Sequence, residues 1–162
     1  MPANPFTVLS YVGGPALLTN ASSLFVLSTS NRFARAIDRS RFLSETLGAG
    51  GGGTWTAHYQ DELVTVSKRL GMIARAMTGF YFAAAMFALA TLASIAGAVL
   101  AELASAAPNL IGLVAVACGL AGFAGFVRGA VSLVAESRLA MRALARESEI
   151  AIAMAADASR AN

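Results

Sequence analysis

"MTGFYFAAAMFALATLASIAGAVL", Met77 to Leu100, is an apolar run with no charged residue. Crossing the hydrocarbon core of a bilayer, about 30 Å, takes about 20 mostly apolar helical residues, so this stretch is long enough to span with some tilt. The composition points the same way: 57% of residues are hydrophobic, 13% are charged, and mean hydropathy is +0.65, outside the usual range for a soluble domain. The expected fold is all-α, a polytopic membrane protein with three transmembrane helices extended into a cytoplasmic helical bundle. At 162 residues the chain has room for one helical membrane domain, 1–162, and no second domain is expected.

Working outward, "NLIGLVAVACGLAGFAGFV" gives a further span at about 109–127, with "SAAPN" as the turn before it and Pro108 near the helix start. The first span reads as about 15–31. Pro15 suits a first helical turn, "VGG" before it reads as a break, and Phe6 and Tyr11 are placed for the interface. No basic stretch precedes the first apolar residues, so the amino terminus does not read as a secretory signal.

Orientation follows from the basic residues, which accumulate on cytoplasmic flanks. Arg32, Arg35, Arg39, Arg41, Lys68, Arg69 and Arg75 fall between the first two spans; Arg128, Arg138, Arg142, Arg146 and Arg160 follow the third. The expectation is a bacterial inner (cytoplasmic) membrane protein with its amino terminus outside and its carboxyl terminus inside. The spans read as continuing into cytoplasmic helices at about 32–47, 56–76 and 130–157. Phe33, Ile37, Ser40 and Leu47 recur at helical spacing, with ion pairs expected at Arg35–Asp38, Asp38–Arg41 and Arg41–Glu45. "GAGGGGT", Gly48 to Thr54, should end that helix. Tyr59, Leu63, Val66, Leu70 and Ile73 form an apolar stripe on the next, and Leu133, Ala140, Met141, Leu144, Ala151 and Ile152 repeat it on the last.

The first span is unusually polar. "ALLTNASSLFVLSTSNR" carries Thr19, Asn20, Ser22, Ser23, Ser28, Thr29, Ser30 and Asn31, and on a helical wheel most of these share one side opposite Leu17, Leu18, Leu24 and Phe25. Serine and threonine can return a hydrogen bond to their own helix, whereas an unpaired amide is costly in hydrocarbon, so Asn20 is the informative residue. Asn20, Ser23, Ser30 and Asn31 are candidates for a pathway or a polar seam. Arg32, Arg35 and Arg39 would then form a ring at its inner mouth that favours anions, or contact anionic lipid headgroups. Gly119, Gly122, Gly125 and Gly129 are candidates for close helix packing.

Catalytic candidates are thin. His58, the only histidine, reads as a solvated surface residue, and Cys118, the only cysteine, as packing. "GAGGGG" lacks the Gly-Lys-Ser/Thr ending of a phosphate loop. No enzyme, metal site or cofactor is expected. The pI near 9.6 and formal charge of +3 suit membrane topology better than nucleic acid.

"YVGGPALLTNASSLFVLSTSNRFARAIDRSR" resembles a bacterial family of three-span integral membrane proteins catalogued as a domain of unknown function, DUF2721. The proline-started first span, the "LSTSNR" exit and "RAIDRSR" carry the resemblance, from about Pro15 to about Arg146. It implies a three-span membrane fold and brings no activity. The expected partners are the lipid bilayer and either further copies in a homo-oligomer or a larger membrane complex. The expected role is channel-like or transport through the polar first span; the alternative is an accessory or scaffold subunit docked to a larger complex.

Overall fold

The computed structural model describes residues 5–49, 55–103 and 108–161. Among these the fold is all-α, with three helices: α1 Pro5–Gly48, α2 Trp55–Leu103 and α3 Pro108–Ala161. α2 runs unbroken for 49 residues and α3 for 54, so each apolar run continues into its polar extension without a turn. Gly50–Thr54 of the expected glycine break and residues 105–107 of the expected "SAAPN" turn lie outside the described residues, as do the side chains of Phe6, Tyr11 and Arg160.

α1 corrects the expected start. It begins at Pro5 and carries Pro15 inside it, so "VGG" is not a break. Proline forfeits one bond of the helical ladder, whereas a break at Gly13 and Gly14 would strand several backbone groups in an apolar stretch. The far end stops at Gly48, where the amide of Ala49 donates to the Glu45 carbonyl at 2.9 Å.

Two helices are long and apolar enough to cross a membrane, α2 through Thr56–Leu100 and α3 through Leu110–Arg146. Only 17% and 6% of their most apolar stretches are buried in the chain. A core helix of a soluble protein would be mostly covered, so this apolar surface is built to face something other than water. α1 does not reach the same standard, because its hydroxyls and amides dilute the leucines between them.

Packing sorts the chain into two units, one of Met1–Asn31 with Arg75–Val131 and the other of Arg32–Ala74 with Ser132–Asn162. The divisions fall within a few residues of the span ends read from the sequence at 31, 77 and 127. In both units the buried positions recur every seven residues: Ser22, Thr29, Ala36 and Leu43 on α1; Val66, Ile73, Phe80 and Phe87 on α2, with Ala76, Ala83 and Ala90 as a second series. On α3 they are Gly122, Gly129 and Glu136, with Gly125. This is the period by which one helix keeps a single seam against its neighbours.

In the first unit α2 and α3 approach until backbone meets backbone. A Cβ on Gly79 would lie 2.9 Å from the Gly125 carbonyl oxygen and 3.0 Å from Gly129 Cα. Beside this contact, Phe80 sits fully buried between Phe25 and Phe126, with ring centroids 5.2 and 5.4 Å away. Glycines of α3 thus make the space that phenyl rings of α2 fill.

The second unit is built differently from the expected stripes. Val66 and Ile73 are buried as the α2 stripe requires, but Phe33, Ile37, Ser40 and Leu47 are only half-buried while Ala36 and Leu43 carry the α1 seam. On α3, Met141, Leu144 and Ile152 are exposed and the carboxylate Glu136 takes the inward position. The expected local pairs among Arg35, Asp38, Arg41 and Glu45 are not closed. Exposed pairs one turn apart stabilise by about 0.2–0.5 kcal/mol, too little to hold two long side chains in one geometry; the ion pairs instead run between helices.

The glycine contact gives a direct test. Gly79→Ala is expected to destabilise by about 1–3 kcal/mol, because its methyl meets fixed backbone. Gly119→Ala, where a Cβ meets nothing within 4 Å, should be neutral or stabilising by up to about 1 kcal/mol. Unfolding of the two variants in mixed micelles, followed by helical ellipticity, checks the contrast; equal losses would contradict it.

Candidate functional site

The polar residues of α1 divide by chemistry. Every hydroxyl among Thr19, Ser22, Ser23, Thr29 and Ser30 donates to the carbonyl four residues back, at 2.6 to 3.0 Å. These groups satisfy themselves, so any surroundings tolerate them. The two amides differ: Asn20 and Asn31 are exposed, and neither side chain bonds a described residue.

The polar positions also divide by face, which corrects the single polar side read from the wheel. Ser22 and Thr29 are fully buried in the first unit, whereas Asn20, Ser23 and Asn31 are exposed together with Leu17, Leu24 and Leu27, and Ser30 is half-buried. The inward pair is small enough to let α1 approach its neighbours. The outward line of two amides and a serine among leucines is left uncovered by the described residues.

The second unit is centred on Glu136, which is 2% exposed. Its Oε1 accepts from Arg69 Nε at 2.9 Å, and its Oε2 faces Arg32 Nη1 at 3.5 Å, which also donates to Ser137 Oγ at 3.2 Å. One helix supplies the buried anion and the other two supply the cations. A carboxylate in this position is tolerable only because both oxygens meet charge.

A second interhelical pair lies on the same unit. Glu62 Oε1 accepts from Arg39 Nε at 2.7 Å and Nη2 at 2.6 Å, and the Arg39 guanidinium stands 5.5 Å from the Phe42 ring centre. Glu62 Oε2 is buried and meets no donor among the described residues. The pair borders a cleft of about 560 Å³ whose lining includes His58, Asp61, Arg142 and Arg146.

Of the residues singled out from sequence, Arg32 and Arg39 are engaged in these interhelical ion pairs and Arg35 is exposed. Gly122, Gly125 and Gly129 face Phe87, Phe82 and Phe80, while Gly119 faces open space. His58 is half-buried in the cleft rather than fully solvated. Cys118 is a half-buried free thiol. Among the described residues no group of three or more His, Cys, Asp or Glu side chains could hold a metal ion.

The class is therefore an all-α protein in which two long helices are apolar enough to cross a membrane. The family described as "Protein of unknown function (DUF2721)" matches residues 13–146, and the chain belongs to that family. No curated protein and no solved structure matches it.

The Glu136 cluster predicts unequal partners. Arg69→Ala should destabilise by about 3 kcal/mol, since it leaves the buried carboxylate with only a 3.5 Å contact, and Arg32→Ala by about 1 kcal/mol or less. Adding Glu136→Ala to Arg69→Ala should restore at least half of the loss, because the stranded charge goes with it. Chemical unfolding of the four chains measures all three values; a double variant no better than Arg69→Ala would refute the burial argument.

Proposed function

We propose that this chain is a non-enzymatic, homo-oligomeric membrane protein of three spans, in which copies of α1 border a polar pathway with a channel-like or transport role. The carrying observation is the exposed amide of Asn20. In hydrocarbon without a partner such a group costs about 4 kcal/mol or more, so a spanning α1 must have that face covered by protein or water. A ring of copies does both, placing Asn20, Ser23 and Asn31 along the axis. Arg35 is the arginine of the inner-mouth set that no ion pair among the described residues engages.

The arginine distribution supports an outside amino terminus and a cytoplasmic carboxyl terminus in a bacterial inner membrane. The divisions at 31, 74 and 131 support the same partition into membrane and cytoplasmic parts. A second reading, an accessory subunit docked to a larger complex, draws on Val134, Met141, Leu144 and Ile152, an exposed apolar stripe on the part of α3 that this topology puts in water. A ring of copies isolated in native-like lipid favours the first reading; one copy seated against unrelated chains favours the second.

Asn20→Leu, reconstituted in vesicles, should lower ion or solute flux at least tenfold while the oligomer keeps its mass. Unchanged flux through an intact oligomer would remove the pathway. For topology, Ser44→Cys in a Cys118→Ala background should resist a membrane-impermeant thiol reagent in intact cells and react after permeabilisation. Labelling from outside would reverse the orientation.

A further inference from the structure

The cleft beside the Arg39–Glu62 pair, about 560 Å³ within the second unit, carries charges of both signs over an apolar floor. Its four arginines divide by partner. Arg39 is held by Glu62 and Arg69 by Glu136. Arg142 and Arg146 stand one turn apart on α3, both exposed, and neither pairs or bonds with a described residue. Like charges at that spacing repel along a helix, and no acid among the described residues offsets them. From α2 the lining receives Asp61, exposed, whose carboxylate likewise engages no described residue. Leu139 and Ala143, half-buried on α3, supply the apolar part.

The volume falls within the range of small-molecule sites, about 300–1,000 Å³. A bare anion would satisfy the two arginines and leave Asp61 and the apolar floor unmatched. A long polyanion would meet repulsion from Asp61 and Glu62 in the same lining. The mixture calls for one small molecule with an anionic end, hydroxyl donors and an apolar ring. We propose that this cleft binds a nucleotide, its phosphates held by Arg142 and Arg146, its ribose hydroxyls donating to Asp61 and its base laid on Leu139 and Ala143. The planar guanidinium fork suits phosphate oxygens, and a carboxylate accepts from ribose hydroxyls as it does in dinucleotide sites. The topology proposed above puts this unit in the compartment that supplies nucleotides. The site itself goes beyond the pathway reading and rests on the cleft.

Calorimetric titration of the full chain in neutral detergent with ADP tests it, beside adenosine, inorganic phosphate and short-chain phosphatidylglycerol. ADP is expected to bind, with adenosine and inorganic phosphate each at least about tenfold weaker, because each satisfies only part of the lining. Arg142→Gln and Arg146→Gln should each weaken ADP about fivefold and the double variant about 25-fold. Arg138→Gln, one turn away and outside the lining, should change affinity less than about twofold. An ADP analogue lacking both ribose hydroxyls should bind about fivefold weaker than ADP, and Asp61→Ala should erase that difference. Absence of ADP binding, inorganic phosphate binding as tightly as ADP, displacement of ADP by phosphatidylglycerol, equal affinity for the analogue, or an equal loss in Arg138→Gln would each overturn the site. Should a variant lose its helicity, the ligand comparisons on the unaltered chain decide. Labelling of Ser44→Cys from outside intact cells would instead strike the topology, which keeps the two failures apart.

Discussion

The second unit depends on one buried anion. Glu136 is nearly sealed from solvent at a position where the seven-residue seam calls for an apolar side chain, and its charge is met by Arg69 on α2 and Arg32 on α1. A leucine there would give comparable or greater stability, since desolvating a carboxylate and its partners offsets most of the attraction between them. What the carboxylate adds is directional: it is satisfied only when both arginines stand opposite it, so a helix slipped by one turn strands a charge. Apolar seams of alanine and valine tolerate such slippage far better. The chain thus spends stability at Glu136 to fix the register of three long helices.

The first unit sets its register sterically. Gly79 faces Gly125 and Gly129 at distances that admit no Cβ, while Phe80 and Phe87 fill the space on either side against Gly129 and Gly122. Where the surroundings are as apolar as the side chains, burial of apolar surface stops discriminating between arrangements and close packing takes over. The two units therefore solve one problem by two means, charge in one and shape in the other.

Much of this was legible in the sequence. Uncharged runs of 18 residues or more, the placement of every Lys and Arg, and the absence of proline between Trp55 and Leu103 give three long helices and most of their extents. The resemblance at "LSTSNR" and "RAIDRSR" gives the family. Two features were not read. Pro15 looked like a start because proline is favoured there, and nothing local says that a break would cost more than one lost bond. Glu136 in "VAESR" was not singled out at all, although it lies seven residues beyond Gly129 and fourteen beyond Gly122, in a register that a count by sevens would have exposed. The single polar side of α1 was a misreading of the wheel: at about 100° per residue Ser22 already falls roughly opposite Asn20 and Asn31, with Thr29 beside Ser22, and these are the separate faces on which they lie in the structure.

That separation also answers why a helix of this kind carries so many polar groups. A hydroxyl that bonds its own helix places no demand on its neighbours, so Ser22 and Thr29 are best understood as small residues: they let α1 come close, as glycine does for α3, with less loss of helix propensity. An amide cannot close such a bond on itself in the same way. Asn20 and Asn31 stand eleven residues apart, three turns of helix, with Leu24 and Leu27 between them on the same outward line. Leucines alone would permit any apolar covering. In the proposed arrangement, with α1 as a third span, two amides framing them call for a covering with hydrogen-bonding partners at both heights, which a second polar helix or a column of water supplies and an acyl chain does not. On that proposal the outward face of α1 would be selective about what lies against it, unlike the apolar outward faces of α2 and α3.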